Sequence, residues 1–472
     1  MKEAFQERLC ALAEARDTTR PGLRKLASVR TTPGGYLAAA AVFTFASLIL
    51  LRTHRDLAAL IVIALTWTIV PFVIALDRLN FDGEKLWRSG PLIFIAQFVF
   101  GRRRKLRLDD IDRVDVLSLR TLRRGGNVHY RYRVDVSGSN QSFVFASGGK
   151  NFRRMVRELL SRLPDYKLDT RARELRDHLT VNSRLKAAVK RLQIAPVSVL
   201  EATSRAITRQ EKRSAEKHRT EVSAEDIERA AQLRKLANEL RIAGRLRESA
   251  EAFRRVLFAT ADDASLIYEY ARLLRSQASA FGDARLLSRA RAALRLATLR
   301  GRHEALLLQS IGESFLEFSE PARAAHTFRI ALDLDDAAYR AYLGLAEVAL
   351  AEGKLAHVIH HYSQAARIAP DKATRRLAQR ETDYYSRLHN DDDYLAAELR
   401  RMNWLEGADS VQRLTARGAF AALLIALVGP SIDPVVGGLG WALASSSILA
   451  WAGALIIKRL LTSRRRVVEG KV

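Results

Sequence analysis

The feature that most restricts the fold of this chain is a set of four apolar stretches that contain no charged residue. Two lie near the start of the chain, Tyr36–Leu51 and Leu57–Leu76, and two near its end, Gly418–Ile432 and Pro434–Ile457. A helix that crosses a bilayer needs about 17–25 mostly apolar residues. With their flanking residues, the four stretches predict two transmembrane hairpins. Their helices are expected at 36–52, 57–76, 414–432 and 435–457.

Two alternatives stay open for these stretches. The first pair could form a buried helical hairpin in a soluble core, although globular helices seldom lack any polar face. The 414–432 segment could be re-entrant or interfacial. A breaker cluster, Gly429-Pro430-Ser431-Ile432-Asp433-Pro434, separates the two runs of the second hairpin. Pro71, near the end of the second stretch, is compatible with a membrane helix.

The charge distribution predicts an orientation. The formal net charge is +26, which calls for an anionic neighbour such as lipid, nucleic acid or acidic protein. Lys and Arg are frequent before the first apolar stretch and after the last, whereas the turn of the second hairpin has none. The positive-inside bias therefore predicts that both termini and all soluble domains face the cytoplasm. We expect a multi-pass protein of the bacterial inner (cytoplasmic) membrane, and the single Cys10 fits a reducing compartment.

Much of the positive charge can serve an anionic leaflet, where each basic residue contributes about 1 kcal/mol. Anionic membrane lipids are therefore expected partners. The basic residues expected to face lipid are Arg102, Arg103, Arg104, Lys105, Arg464, Arg465 and Arg466.

A tandem helical repeat occupies the region 230–372. In the segment 305–338, Leu308, Gly312 and Phe315 precede Ala324 and Phe328. Small and aromatic residues recur at the same offsets 34 residues later, and an earlier unit fits the same pattern. The predicted units are 230–263, 264–304, 305–338 and 339–372. The second unit is longer, and its surplus predicts a longer loop between its helices at Ser276–Asp283.

This period and residue pattern resemble the tetratricopeptide repeat family. The resemblance implies stacked helix pairs, because one pair cannot bury its apolar stripe alone, and a groove that binds other proteins. In family members that clamp carboxylates, a basic residue and an Asn stand where this chain has Arg234 and Asn238. The family's basic pair in the third unit is absent, since Leu306 and Ser310 stand there.

The predicted groove has a basic end suited to carboxylates and an apolar end. It is expected to bind acidic or amphipathic segments of partner proteins; the alternative is that its arginines only solvate the helix face. The predicted groove residues are Arg234, Asn238, Arg241, Tyr268, Arg272, Arg275, Leu306, Gln309 and Leu343.

The region 77–165 changes from helical to alternating periodicity. Tyr130, Tyr132, Val134 and Val136 alternate, turn signals separate several such runs, and an amphipathic helix closes the segment at about 150–163. This pattern resembles the bacterial pleckstrin-homology-like domains that follow a membrane hairpin. The resemblance implies a structural β domain, and lipid-headgroup binding is not carried over.

The remaining segments complete the predicted organisation. Residues 1–33 are expected to form a basic amphipathic helical arm. Residues 166–229 are expected to form a charged helical linker, either solvated or engaged as a coiled-coil or partner-binding helix. Residues 373–410 are expected to cap the solenoid, and 458–472 to form a basic tail. The fold class is therefore mostly α: an integral membrane protein with four transmembrane helices, a small antiparallel β domain with a C-terminal helix, and a TPR-type α-solenoid.

Motifs that would support catalysis or a cofactor are missing from the sequence. Ser147-Gly148-Gly149-Lys150 lacks the spacing of a phosphate-binding loop. His357 and His361 have the i, i+4 spacing of a metal pair but lack the Glu and order of a zinc protease helix. We therefore expect a protein that is not an enzyme and has no cofactor and no metal.

The sequence favours a membrane-tethered scaffold or adaptor that binds proteins through its cytoplasmic groove, with homo-oligomers possible. One alternative is an assembly factor that holds other membrane subunits through its hairpins. Another is a nucleic-acid-binding regulator that uses Arg102–Lys105 and the helix of 168–228, although nucleic acid is not needed to explain the charge.

Overall fold

The computed structural model describes residues 26–31, 34–91, 105–122, 127–139, 141–148, 150–195, 224–260, 262–431 and 433–462. Its contacts divide the chain into two compact units. The first contains Met1–Thr32, Val73–Glu352 and Gln364–Ala378, and the second contains Pro33–Phe72, Gly353–Ser363 and Gln379–Val472.

The first unit contains two antiparallel sheets. One has the order β1-β2-β3-β4, and the other has the order β5-β6-β7. The strands are β1 (Ala27–Arg30), β2 (Arg78–Phe81), β3 (Lys85–Ser89), β4 (Lys105–Arg107), β5 (Ile111–Leu122), β6 (Val128–Gly138) and β7 (Gln141–Ala146). The predicted strand–turn–strand at Phe81–Trp87 is confirmed, since Phe81 pairs with Leu86.

The predicted N-terminal helical arm is wrong where the structure describes it. Ala27–Arg30 is a strand that pairs with β2, with Val29 opposite Leu79. Ala27 and Val29 are buried, so alternating burial in a sheet replaces the expected helix face. Residues 1–25 of the arm lie outside the described residues.

A short helix, α3 (Lys150–Leu160), packs its apolar stripe under the sheets. Phe152 contacts Phe145 of β7, with ring centroids 5.8 Å apart. Met155, Leu159 and Leu160 are fully buried beside strand residues such as Val134. The sequence predicted this closing helix and its buried stripe, and both are confirmed.

The region 230–372 forms consecutive helices, and the first six pack in pairs, as the repeat predicted. They are α6 (Ala224–Ile242) with α7 (Leu246–Ala259), α8 (Ala264–Phe281) with α9 (Ala284–Arg300), and α10 (Ala305–Glu317) with α11 (Pro321–Leu334); the predicted fourth unit contains α12 (Tyr339–Ala351) and α13 (Leu355–Ile368). In the first three pairs, the first helix packs against the second, and α11 in turn packs against α12. Buried residues of successive pairs form continuous apolar clusters, so each pair buries its apolar surface against its neighbours.

The predicted long loop at Ser276–Asp283 is wrong. Helix α8 continues through Phe281, and only Gly282, with φ +68°, and Asp283 separate it from α9. Asp283 accepts a hydrogen bond from the backbone N–H of Arg285 and so caps α9. The surplus residues of the second repeat lengthen its two helices to 18 and 17 residues. The segment 276–280 stays helical because Ala and Gln favour a helix and because Gln277, Ala278 and Ala280 are buried.

Two shorter helices, α4 (Thr170–His178) and α5 (Asn182–Arg191), follow the sheets. The expectation of a solvated linker is wrong for α4, because Thr170, Ala172 and Leu175 are buried. Leu175 belongs to the same apolar cluster as the sheets. Residues 196–223 of the predicted linker lie outside the described residues.

The sheets and the helix pairs contact each other within the first unit. Tyr132 of β6 donates a hydrogen bond to the Ile242 carbonyl at 2.8 Å, and Ile242 packs in the sheet core. The backbone N–H of Val128 donates to Gly244 O at 3.1 Å. Gly244 has φ +81°, and a Cβ there would overlap the Val128 carbonyl, so this approach requires glycine.

The second unit contains long apolar helices or parts of them: α1 (Gly34–Arg52), α2 (Asp56–Leu76), α15 (Asp392–Val428) and α16 (Pro434–Leu461). All four are long and apolar enough to cross a membrane, by length and composition. Polar groups in these helices are satisfied locally: Ser47 donates to Ala59 O at 2.7 Å, and Trp67 donates to Thr44 at 3.2 Å.

The region 373–410, which the sequence predicted to cap the solenoid, contains helix α14 (Lys372–Asn390) and the start of α15. Within the second unit, Tyr384 donates a hydrogen bond to Glu398 at 2.8 Å, and the rings of Tyr362 and Tyr385 stack at 5.9 Å. The expected boundary between cap and apolar helix near 410–414 is absent, since α15 runs unbroken from Asp392 to Val428. Gly407 and Gly418 do not interrupt it, because isolated glycines lower helix stability without ending a helix.

Candidate functional site

The first helices of the four pairs present one common face, which we call the first-helix face. It is built from Arg234, Asn238 and Arg241 of α6, Tyr268, Arg272 and Arg275 of α8, Gln309, Glu313 and Glu317 of α10, and Arg340, Leu343 and Glu347 of α12. The groove residues predicted from the sequence all belong to these four helices. Leu306, at the start of α10, differs from the rest because its side chain is largely exposed.

A segment of the same chain lies along this face. Residues 165–178, here called the groove segment, comprise a 3-10 turn (Asp165–Lys167) and α4. Their side chains and carbonyls contact α6, α8, α10 and α12 in turn, by hydrogen bonds and ion pairs. The face that the sequence assigned to a partner protein therefore already holds a peptide segment.

Glu174 is the main acidic contact of the groove segment. Its carboxylate accepts hydrogen bonds from Arg272 at 2.9 and 3.0 Å and pairs with Arg241 at 2.9 Å. Burial by itself would raise the pKa of Glu174, but Arg241 and Arg272 outweigh burial and hold the pKa well below its ordinary value. The predicted carboxylate-binding arginines thus bind a carboxylate, and it comes from this chain.

Glu313 makes the central contact from the opposite side. It accepts a hydrogen bond from Arg173 at 3.0 Å and one from Arg340 at 2.7 Å, and it also contacts the Thr170 hydroxyl. Burial opposes ionisation, yet Arg340 and Arg173 lower the pKa of Glu313. A basic residue of the segment here meets an acidic residue of the face, the reverse of the Glu174 arrangement.

The N-terminal end of the groove segment is held at α12 and at the start of α14. Arg340 donates to Asp165 O at 3.0 Å and also contacts Leu168 O. The buried Lys167 pairs with Asp371 at 2.7 Å, and Tyr166 donates to the same carboxylate at 3.2 Å. The segment therefore extends from the fourth helix pair to the first.

The β5 edge lies beside the same segment. Asp169 caps α4 by accepting from Ala172 N at 2.6 Å and also accepts from Val116 N of β5 at 3.1 Å. Asp169 N donates to Val114 O at 3.1 Å, and Val114 forms an isolated parallel bridge with Leu168. The groove segment thus joins the sheet to the helix pairs.

Arg234 and Asn238, the two residues predicted to bind a partner's carboxylate, instead bond carboxylates next to and within the neighbouring helix α8. Arg234 donates to Glu269 of α8 at 2.7 and 2.9 Å and to Asp263 at 2.7 Å. Asn238, which is buried, donates to Glu269 at 2.7 Å. These bonds fasten α6 to α8 and do not involve the groove segment.

The apolar end of the predicted groove is divided. Leu306 is 74% exposed, whereas Gln309 is buried. Leu343 and Leu316 line a cavity of about 180 Å³ beside the groove segment, together with Tyr166 and Arg340. At the apolar end, Leu316 and Leu343 therefore border the groove segment.

The other predicted residues lie elsewhere. Arg102, Arg103, Arg104, Arg464, Arg465 and Arg466 lie outside the described residues; Lys105 is exposed on β4. The rings of His357 and His361 stack with centroids 6.4 Å apart. In the described part of the chain, no group of three or more His, Cys, Asp or Glu side chains could hold a metal ion.

Sequence reasoning missed the acidic half of the site, namely Glu174, Glu313 and Glu317. The available signal was local: Asp169 precedes a short helix whose Ala172 and Leu175 repeat at helical spacing, which is a capped amphipathic helix and not a uniformly charged linker. That pattern predicts burial, but it does not say which surface covers the helix.

Comparison with known proteins yields structural likeness alone. No protein family model matches this sequence, and no curated protein matches it. A crystal structure of MamA protein is 16% identical, with 36% of this chain and 88% of that chain covered and a TM-score of 0.29. A second crystal structure of MamA is 13% identical, with 48% of this chain and 96% of that chain covered and a TM-score of 0.26. Because both scores are low, the assignment of the helix-pair array rests on its own contacts.

Proposed function

We propose that this chain is a membrane-tethered scaffold whose helix-pair array binds a partner protein through the first-helix face. The supporting observation is the groove segment: a peptide of this chain occupies that face by carboxylate–guanidinium pairs, which is the chemistry expected for a bound partner. The proposal assigns no catalytic role and no cofactor.

Membrane tethering is supported by the outward-facing apolar side chains of the long helices. Leu57, Leu449 and Leu460 are 76%, 71% and 72% exposed. In water, each such side chain forfeits about 1.5–3 kcal/mol relative to burial, so many together favour an apolar surrounding. Small residues bring α15 and α16 close, because a Cβ on Gly440 would collide with the backbone of Ala426.

In this proposal the soluble parts face the cytoplasm of a bacterium, following the positive-inside bias. The strands β1 to β7 and their closing helix α3 serve as a pleckstrin-homology-like structural domain. This domain holds the groove segment beside the helix pairs, a role supported by the bonds of Asp169 to Val116 and of Tyr132 to Ile242.

The groove segment also indicates the partner's chemistry. It supplies an acidic residue, Glu174, to Arg241 and Arg272, and a basic residue, Arg173, to Glu313. A partner segment with the same Arg-Glu pattern on a short helix would exchange with it. The intact chain then binds only a partner able to displace its own segment.

The test measures exchange with a fluorescent peptide of residues 165–178 and the purified full chain in detergent. The wild-type chain should bind the peptide weakly, because its own segment competes. Glu174→Gln weakens the internal segment and should bind the peptide at least about tenfold more tightly, since one charge-assisted contact is worth about 1.5–3 kcal/mol. Glu228→Gln, at an exposed position of α6, should behave as wild type.

A peptide in which Glu174 is replaced by Lys controls for nonspecific charge and should not bind. Native membrane proteins that are retained by the Glu174→Gln chain should be released by the wild-type peptide. Three results would show that the segment is a fixed part of the fold and would remove the groove assignment. They are equal peptide affinity in all three chains, no binding by any chain, or binding of the Lys peptide as tightly as the wild-type peptide.

A second candidate function, an assembly factor for membrane complexes, is favoured by one observation. In the second unit, Gly407, Ala408, Ala450, Gly453 and Ala454 line a mostly apolar cavity of about 670 Å³, with Arg400 and Asn403 also in its lining. Small residues let another membrane helix approach closely. A photo-crosslinking residue at Gly453 would capture membrane subunits under this hypothesis, whereas crosslinks from the first-helix face would favour the scaffold.

A further inference from the structure

A second feature of the first unit is a cavity with a surplus of arginine. It has a volume of about 210 Å³ and lies between α4, α6, α8 and the strands β5 and β6. We call it the arginine cavity. Its charged lining consists of Arg171, Arg241, Arg272, Arg275, Glu174 and Glu317.

The two carboxylates are shared among four guanidinium groups. Glu174 pairs with Arg241 and Arg272, both at 2.9 Å. Glu317 pairs with Arg272 at 3.0 Å and with Arg171 at 3.3 Å, and it also contacts Arg275. The charged lining therefore keeps two positive charges in excess.

Much of this charge is withdrawn from water. The side chains of Arg241 and Arg272 are only 6% and 5% exposed, and those of Arg171 and Arg275 are 30% and 25% exposed. Burial, together with the neighbouring Arg272 and Arg171, lowers the pKa of Arg275 to about 9. Burial and Arg272 also lower the pKa of Arg171. Like charges held together in a low-dielectric site repel, and a bound anion would relieve that repulsion.

One guanidinium N–H among the lining arginines has no hydrogen-bond partner in the described part of the chain. This group is Nε of Arg241, which is buried. Buried donors of this kind are rare in native proteins, and a bound ion is one way in which they are satisfied. Hydroxyl groups of Ser118, Ser276 and Ser279 also line the cavity and can add neutral hydrogen bonds.

We propose that the arginine cavity binds a phosphate dianion, either inorganic phosphate or the phosphate group of a small monoester. The two excess positive charges match a dianion, and the planar guanidinium fork suits paired phosphate oxygens. The cavity is smaller than the roughly 300–1,000 Å³ pockets that hold drug-sized ligands, so a nucleotide does not fit inside it.

The site shares Arg171 and Glu174 with the groove segment, but phosphate binding does not require that segment to exchange. A bound phosphate adds to the Glu174 and Glu317 pairs and does not replace them. It therefore holds α4 on the helix pairs more firmly. Phosphate binding is measured on the chain without any partner, so its failure leaves the scaffold proposal untouched, and failure of peptide exchange leaves this site untouched.

The experiment follows thermal unfolding and calorimetric binding of the full chain in phosphate-free neutral detergent at constant ionic strength. Inorganic phosphate should raise the unfolding midpoint saturably and give a binding isotherm, whereas chloride should do neither. Glycerol 3-phosphate forms the second arm. Tighter binding of this ester identifies a phosphomonoester such as a lipid headgroup, and weaker binding identifies free phosphate.

Three variants make the result specific. Arg275→Met keeps the apolar stem beside the Phe318 ring but removes one excess charge, and it should weaken phosphate binding at least about tenfold. Arg295→Met removes an exposed arginine outside the cavity and should bind as wild type. Ser276→Glu supplies an internal carboxylate and should raise the midpoint without phosphate while abolishing the phosphate response.

If Arg275→Met does not fold, the Ser276→Glu variant still tests phosphate binding, because Ser276→Glu is expected to raise the unfolding midpoint. Absence of phosphate binding to the wild-type chain would overturn the proposal. So would a phosphate response that is unchanged in Ser276→Glu, or a response of equal size with chloride.

Discussion

Asp169 shows how one side chain can join two elements. It accepts hydrogen bonds from Ala172 N in α4 and from Val116 N in β5, at 2.6 and 3.1 Å. The two hydrogen bonds favour the ionised carboxylate and by themselves would lower the pKa of Asp169. Burial has the larger effect and raises this pKa from an ordinary value of 3.8 to about 6. The folded chain therefore holds this proton more tightly than the unfolded chain does.

This residue gives a pH-dependent prediction. Because the pKa is higher in the folded state, protonation of Asp169 adds to the free energy of unfolding. The full contribution is present below about pH 4 and is lost as pH rises through about 6. Its size is on the order of 3 kcal/mol for a shift of roughly two units. The thermal stability of wild type relative to Asp169→Asn should therefore decrease between pH 4 and pH 7, because Asn does not titrate. Thermal unfolding of both chains in detergent at several pH values checks this. A difference that stays constant with pH would contradict it.

At the scale of elements, the phenyl ring of Phe328 packs directly against the backbone of two glycines in neighbouring helices. Phe328 of α11 is fully buried, and a Cβ built on Gly312 of α10 would lie 2.5 Å from its ring. A Cβ on Gly344 of α12 would collide with the same ring. Gly312, a small residue of the repeat, is therefore where the two helices of one pair meet, and Gly344 is where α11 meets the first helix of the next repeat.

Gly344→Ala should destabilise the first unit. Overpacking a filled core costs about 1–3 kcal/mol, and Phe328 cannot shift away from Gly344 without approaching Gly312, which lies close to the same ring. Hydrogen exchange should show lost amide protection in α10, α11 and α12. The matched control is Gly407→Ala in α15, where no atom lies within 4 Å of a new Cβ. That control should be neutral or stabilise by about 0.5–1 kcal/mol. Equal effects of the two substitutions would rule out the ring contact as the cause.

At the scale of the whole molecule, the long apolar helices and the ion-paired first unit differ sharply in composition. Helix α2 contains no charged residue after Asp56, whereas the first-helix face is dense in ion pairs. Within the second unit, the two helix hairpins are also in contact, since the rings of Phe45 and Trp441 lie 6.4 Å apart.

The proposed orientation can be tested with single cysteines in a Cys10→Ser background. His54→Cys lies in the turn between α1 and α2, and Ser431→Cys follows α15; both should react with an impermeant maleimide from outside the cell. Arg302→Cys, between α9 and α10, should react only after the membrane is opened. The positive-inside bias is the reason for this expectation. Labelling of Arg302→Cys in intact cells, or release of the chain by alkaline carbonate, would contradict it.

The sequence predicted much of this architecture and less of the site. The helix pairs, the strands and the buried stripe of Phe152 and Leu159 follow from periodicity, which each segment carries by itself. The predicted loop at Ser276–Asp283 was wrong because Gln277, Ala278 and Ala280 are good helix formers and are buried in α8. The strand Ala27–Arg30 was missed because its partner β2 lies after both helices of the first hairpin.

What the sequence by itself determined is therefore everything set by local pattern: four apolar helices, stacked helix pairs, two runs of strands, and a basic face suited to carboxylates. The tertiary structure alone decided what meets that face. Glu174 reaches Arg241 across 67 residues and Arg272 across 98, and no spacing rule relates positions so far apart. Opposite charges attract at any sequence separation, so the identity of the partner depends on where the folded backbone brings each side chain.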